Sequence, residues 1–377
     1  MTQHVIVNSG IGNADYDFYY QVDDQITLSR NQALLWAGGQ LDRIHYYFMD
    51  DVWDQMDWSQ CPSESFEDMC DRRCRELRAQ YDWICLWLSG GYDSQTVLAS
   101  FIRAGVRIDE IAHMDRTDYY ADPELPFIIE SSKNYQKYHN PKLRITAAPI
   151  DHNYTFDFYR GLGEDWIFQP GAAPRFSKST CAVIQRFNDQ VVRNRLSTPG
   201  RRADIYGKEK PMVKLGNDGH WYMQAYDRII EDNIGGVSVN FYLCSDMPEF
   251  YVKQCHMVID WMETIPDINQ GIVHAIQSNV EKWYMAWNLA CGRIPLSDFN
   301  TANGITKRYF NRTDNSPDGQ GLLSHAESDL QKIYRIWKGA KENLLSSTGL
   351  DNIVDVRLWS KAWPIRPFVA KKQQLKL

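Results

Sequence analysis

Trp83-Ile84-Cys85-Leu86-Trp87-Leu88 is an unbroken apolar run, preceded by Asp82 and ended by Ser89, Gly90 and Gly91. Six residues bounded by turn formers are too few for an ordinary helix, so the run reads as a strand. With no polar alternation it must be buried on both faces, as happens in parallel sheets. Parallel strands need long crossovers, and the following sequence supplies them. A helix is expected over 95–104, closed by Gly105. A strand over 108–114, a helix over 123–139 with Pro123 in its first turn, and a strand over 143–150 come next. This alternation predicts an α/β fold built on a doubly wound parallel sheet.

The flanks carry weaker signals. Residues 4–8 look strand-like, 16–28 alternate in part, and 44–58 are rich in aromatics. Ser63 or Ser65 can cap a helix reaching about residue 80, with Phe66, Met69, Cys70 and Leu77 at helical spacing. Beyond the core, a helix is expected over 180–196 and a fourth strand over 203–206. A hairpin over 212–215 and 220–225 turns at Asn217-Asp218-Gly219, and another strand spans 237–243. Helical periodicity then covers 248–262, 279–290 and 330–345. The expected organisation is a mixed appendage (1–80), the α/β unit (81–245) and a mainly helical C-terminal region (246–377).

Composition narrows the function classes. The formal charge is -7 and the pI about 5.7, which argues against non-specific binding along nucleic acid. Basic runs at 193–202 and 361–376 read either as a local groove or, more plainly, as solvated helix faces or a disordered tail. No stretch is apolar for long enough to span a membrane, and the first ten residues lack a secretion-signal pattern. The 8 cysteines include no C-x-x-C pair; Cys70 and Cys74, one helical turn apart, have no evident metal-binding partners nearby. A reduced, cytoplasmic protein is expected. The 13 Trp and 21 Tyr suit a packed core first and stacking on a flat ligand second.

Ligands on open α/β sheets bind at the carboxyl ends of strands, where strand order switches. There the sequence places Ser89, Gly90, Gly91, Tyr92, Asp93 and Ser94. The glycines let backbone approach a ligand without a Cβ in the way. Successive N–H groups at a helix start form an anion nest, and the Ser89 and Ser94 hydroxyls add donors. Asp93 makes sense as a helix-capping or Mg²⁺-side carboxylate.

Leu-Ser-Gly-Gly-Tyr-Asp-Ser after an apolar strand resembles the SGGxDS motif of the PP-loop ATP pyrophosphatases, whose fold is of the adenine nucleotide alpha hydrolase type. These enzymes split ATP into AMP and pyrophosphate. The resemblance, covering roughly residues 81–243, implies ATP and Mg²⁺ as ligands, with pyrophosphate on Ser89, Gly90, Gly91, Tyr92, Asp93 and Ser94. It implies adenine near Leu88 and near His113 and Met114, although His113 also reads as a satisfied strand-end histidine. Gly207, Lys208, Glu209 and Lys210 fall where family members return a segment to the phosphates. A lysine there would neutralise the departing pyrophosphate and Glu209 would deprotonate an amine; a charged turn before a hairpin is the plain alternative.

Among branches of the superfamily, the chain is most similar to the synthetase domain of asparagine synthetases. It lacks their glutaminase nucleophile, because Cys61 is the first cysteine. The implied activity is adenylation of a carboxylate or carbonyl oxygen followed by displacement of AMP by an amine or ammonia. A nucleic-acid base modifier and a non-catalytic ATP-binding module are the alternatives. Two further segments have two readings each. Asp246 and Glu249 either line a pocket or favour a helix start, and 359–364 is either a closing flap or packed tail.

Overall fold

Strand β4 (Trp83–Trp87) lies at the centre of a five-stranded sheet. The structure, a computed structural model, describes residues 18–89, 91–115, 125–149, 200–207, 211–225, 237–265, 267–277, 342 and 358–370. The expected segments 4–8, 180–196, 279–290 and nearly all of 330–345 lie outside them.

The other sheet strands are β5 (Glu110–Asp115), β6 (Arg144–Pro149), β7 (Arg202–Tyr206) and β10 (Val237–Asn240). Their order across the sheet is β10-β7-β4-β5-β6, and every neighbouring pair is parallel. Helix α4 (Tyr92–Arg103) connects β4 to β5, and α5 (Leu125–Tyr138) connects β5 to β6. This is an α/β fold, and its strand order turns back between β4 and β7.

Alternation along the strands sorts the side chains onto two faces. Ile84, Leu86, Ile111, Ala203 and Ile205 join the main core with Val97 and Phe101 of α4. That core also takes Cys74 and Leu77 from α3 (Phe66–Gln80). Cys85, Trp87, Ala112, Ala148 and Tyr206 form a second buried cluster, with Trp83 and Met114 packed on it. Ile84, Cys85, Leu86 and Trp87 are all buried, so β4 has no exposed face, as the uninterrupted apolar run requires.

Helix α3 starts where the sequence says it should. Ser65 caps it, its hydroxyl accepting from the Asp68 N–H at 3.1 Å. Phe66, Met69, Cys70, Arg73, Cys74 and Leu77 form the buried stripe. Before α3, strands β1 (Phe18–Val22), β2 (Gln25–Thr27) and β3 (Ile44–Phe48) make an antiparallel sheet in the order β2-β1-β3. After β7, the expected hairpin forms from β8 (Val213–Leu215) and β9 (His220–Met223), with Gly219 at φ 79°. Helices α6 (Pro248–Glu263) and α7 (Gln270–Gln277) follow β10.

Four expectations are corrected or resolved. Asp246 does not cap α6: Met247 holds the N-cap position with no side-chain bond. The Asp246 carboxylate instead meets the buried Arg73 guanidinium at 2.6 Å, and Glu249 meets Arg72 at 2.9 Å, clamping α3 to α6. Burial opposes the Asp246 charge, but Arg73 outweighs it and holds the carboxyl below its ordinary range. Arg202 is no groove cation; its side chain is 8% exposed, between Glu110 and Asp204. The 359–364 segment is tail that packs through Ser360 and Trp363 while Trp359 stays exposed, leading into β11 (Trp363–Pro367), which pairs with β9. Lys361 and the Trp363 indole N–H both reach Asp54, so this part of the basic tail is internally paired.

The N-terminal sheet is tied to α6 through aromatics. Trp53 stacks on Tyr251, and His256 Nε2 lies 2.9 Å from the Trp58 carbonyl oxygen. Burial pulls the His256 pKa below its ordinary 6.5, so the ring is neutral in the folded chain at neutral pH. The unfolded chain takes up that proton near 6.5 and the folded chain only at lower pH. Stability is therefore full above about 6.5, falls as pH drops below it, and levels off beneath the folded pKa. Urea midpoints measured from about pH 7.5 to about pH 5 should fall in the parent, and fall less steeply in His256→Gln. Equal slopes in the two proteins would show that His256 carries no such linkage.

Candidate functional site

The loop that leaves β4 is anchored before it turns. The Leu88 N–H donates to the Ala112 carbonyl at 2.8 Å, extending the β4–β5 ladder by one residue, and the Leu88 side chain is buried. Ser89 is exposed. Its N–H donates to Ser94 Oγ, and the two hydroxyl oxygens are 3.1 Å apart. Ser94 Oγ also donates to the Gly91 carbonyl at 3.1 Å. The two serines of the motif thus close the loop on itself across five residues of chain.

Gly91 is the N-cap of α4 in extended backbone (φ -71°, ψ 160°) and makes no side-chain cap bond. Among the described residues a Cβ at Gly91 would meet Ser89 Oγ, at an ordinary 3.5 Å. Asp93 lies in the first turn of α4, half-buried, at the positive end of the helix dipole. Gly90, Lys208, Glu209 and Lys210 lie outside the described residues, as does the Tyr92 side chain.

Gly207 follows β7 and is drawn to the same place. A Cβ on it would sit 2.9 Å from Asp93 C, 2.9 Å from Ser94 N and 3.0 Å from Asp93 O. All three are backbone atoms, so nothing can swing aside. Gly207 is required because two chain segments touch there, a packing reason that the sequence reading did not contain. Tyr242, two residues past β10, adds a third segment: its hydroxyl donates to the Asp93 carbonyl at 2.9 Å. The structure therefore gathers Leu88, Ser89, Gly91, Asp93 and Ser94 with Gly207 and Tyr242 at the carboxyl ends of β4, β7 and β10, across the reversal in strand order.

His113 and Met114 lie near the carboxyl end of β5. His113 is buried and Met114 packs on the second cluster beside Trp87 and Tyr206. Both therefore occupy the strand next to the loop, as expected, with much of their surface committed to the interior.

The sequence reading missed the support under this loop. Trp87, the last residue of β4, stacks on Tyr206 of β7 with ring centres 5.8 Å apart. Its indole N–H donates to Asp204 at 3.0 Å. Asp204 shares Arg202 with Glu110, at 2.9 and 2.8 Å, and Glu110 also accepts from Trp83, Thr146 and Arg144. Burial works against the Arg202 charge, while the Asp204 and Glu110 carboxylates favour it by more and keep the guanidinium protonated. The fully buried Cys85 thiol is pushed well above its ordinary value by desolvation, which makes it a poor nucleophile. The alternating Arg-Ala-Asp-Ile of 202–205 was the available signal, since it marks one polar and one apolar face.

Replacing Gly207 by Ala forces its Cβ into the Asp93–Ser94 peptide. The expected cost is about 1–3 kcal/mol, as for other overpacked interiors, read from denaturant unfolding. A Gly207→Ala protein of unchanged stability and unchanged amide protection in α4 would mean that the two segments do not touch. A scan against protein-family models, a search of characterised proteins and a search of solved structures find no match to this chain.

Proposed function

We propose that this chain is an ATP-dependent, AMP-forming enzyme that adenylates a substrate oxygen and transfers the activated group to an amine or ammonia. The observation that carries the reading is the Ser89–Ser94 loop at the carboxyl end of the central strand, entering a helix whose N-cap has no side-chain partner. Counted along the chain, the sheet order is third, second, first, fourth, fifth, which supports reading the sheet as doubly wound. Its switch point is the crevice where nucleotides bind in such sheets.

In this reading Ser89, Ser94 and the N–H groups opening α4 hold the β- and γ-phosphates. Mg²⁺ suits the residues present: it commonly takes one or two carboxylates plus substrate phosphates. Asp93 supplies such a carboxylate, and among the described residues no group of three or more His, Cys, Asp or Glu gathers to form a cage. When bound, the ion neutralises phosphate charge and stabilises the leaving pyrophosphate. The substrate carboxylate or carbonyl oxygen attacks the α-phosphorus. The bond to the α–β bridging oxygen breaks, and its electron pair leaves with pyrophosphate. The amine then attacks the adenylated carbon, and the C–O bond breaks to release AMP.

Lys208 and Lys210, following Gly207, are the cations proposed to meet the leaving charge, and Glu209 the base that takes the amine proton. Adenine is assigned to the Leu88, His113 and Met114 edge. The burial of Arg202 between Glu110 and Asp204 weighs against the nucleic-acid alternative, because it removes that cation from a basic groove.

The test is product analysis with ATP and Mg²⁺ against panels of amino acids, nucleosides and RNA. AMP and pyrophosphate are expected with one small-molecule acceptor; ADP and phosphate as the only products would overturn the reading. Asp93→Asn should lower turnover at least about tenfold with the fold unchanged. Turnover near the parent rate would reduce Asp93 to a helix-end charge.

A further inference from the structure

Tyr242 is fully buried, and it spends its hydroxyl on a carbonyl belonging to the candidate loop's own helix. We propose that Tyr242 is a positioning residue for the Asp93 carboxylate, setting the Asp93–Ser94 peptide in the orientation that MgATP needs. This rests on the nucleotide reading of the loop given above.

The Asp93–Ser94 peptide is gripped by two segments from other strands. Gly207 meets its backbone atoms at Cβ-excluding distance, and the Tyr242 hydroxyl donates to its oxygen at 2.9 Å. Tyr242 is itself held. Its carbonyl accepts from the Gln254 side-chain amide at 2.9 Å, and that amide also donates to the Phe250 carbonyl at 3.1 Å. Gln254 has no exposed surface, and the Tyr242 ring lies 5.3 Å from Phe241, edge-on. A continuous tether therefore runs from α6 through the end of β10 to the first turn of α4.

Rotating that one peptide would swing the Asp93 side chain and redirect the Ser94 N–H together, because both attach to it. A carbonyl in a first helical turn has two lone pairs, and only one is needed by the helix. Its second donor holds the peptide plane in one setting. The carboxylate matters to bound ATP only through the cation, whereas the serine hydroxyls act on the phosphates directly. Loss of the tether should therefore be felt mainly in the Mg²⁺-dependent part of ATP binding, with a smaller effect on metal-free ATP through the Ser94 N–H.

Tyr242→Phe keeps the ring and deletes the hydroxyl. Calorimetric titration of the full chain with ATP, once with Mg²⁺ and once with excess chelator, separates the two contributions. The expected result is MgATP binding weakened about five-fold, as one net hydrogen bond allows, with metal-free ATP binding weakened clearly less. Equal weakening in both conditions would make Tyr242 a merely structural residue, and no weakening in either would remove its role; each overturns the proposal while leaving the nucleotide reading intact. If the parent binds ATP in neither condition, the nucleotide reading falls and takes the proposal with it. Gln254→Met, which frees the Tyr242 backbone instead, should reproduce the selective loss if Tyr242→Phe does not fold. A Gln254→Met protein that binds ATP like the parent in both conditions would then overturn it.

Discussion

One buried guanidinium sets the register on which this sheet depends. Arg202 bridges Glu110 and Asp204, and both carboxylates are 1% exposed. Buried charges are tolerated only when paired, and removing one partner of such a pair costs about 3–5 kcal/mol. Arg202 pairs across the sheet with Trp83, Asp204 with Cys85, and Cys85 in turn with Glu110. A slip of one residue in β7 would turn Arg202 and Asp204 to the opposite, apolar face and strand Glu110 without its cation. Charge pairing and apolar patterning therefore demand the same alignment. That alignment brings Gly207 to the first turn of α4, and through Asp204 it fixes Trp87, one residue before Leu88 and the loop.

The loop geometry follows from this frame with little further specification. Ser94 sits one helical turn after Gly91, so its hydroxyl can reach both the Gly91 carbonyl and Ser89. The motif spacing encodes that closure locally; the sequence marked the loop as an anion site, and its serine-to-serine closure is a finding of the structure. Legible in the sequence were β4, whose apolar run has no other use, the Ser65 cap, and the β8–β9 hairpin at Asn217-Asp218-Gly219. The strand read as 203–206 begins one residue earlier, because Arg202 does not look like an interior residue until Glu110 is placed beside it.

Features requiring distant partners were not legible. Asp246 and Glu249 stand where helix-starting acids often stand, but their partners, Arg73 and Arg72, come from α3. Tyr242 carries no local signal at all; only the folding of β10 beside β7 brings its hydroxyl to Asp93. Gly207 was marked as a ligand contact, and its spatial reason is the absence of room against α4. In each case the sequence supplied a plausible local role, and the tertiary neighbour supplied a more specific one. The charged run that begins at Lys208 lies outside the described residues, so its role rests on its place in the chain after Gly207.

In the proposed function residues 88–94 cradle the phosphates of ATP. Hydrogen exchange of the full chain, with Mg²⁺ and the non-cleavable α,β-methylene analogue of ATP, addresses it without requiring turnover or knowledge of the acceptor. New amide protection is expected over residues 88–98 and at Gly207, with the N-terminal sheet and the β8–β9 hairpin unchanged. Protection confined to some other part of the chain, or none at saturating analogue, would contradict it.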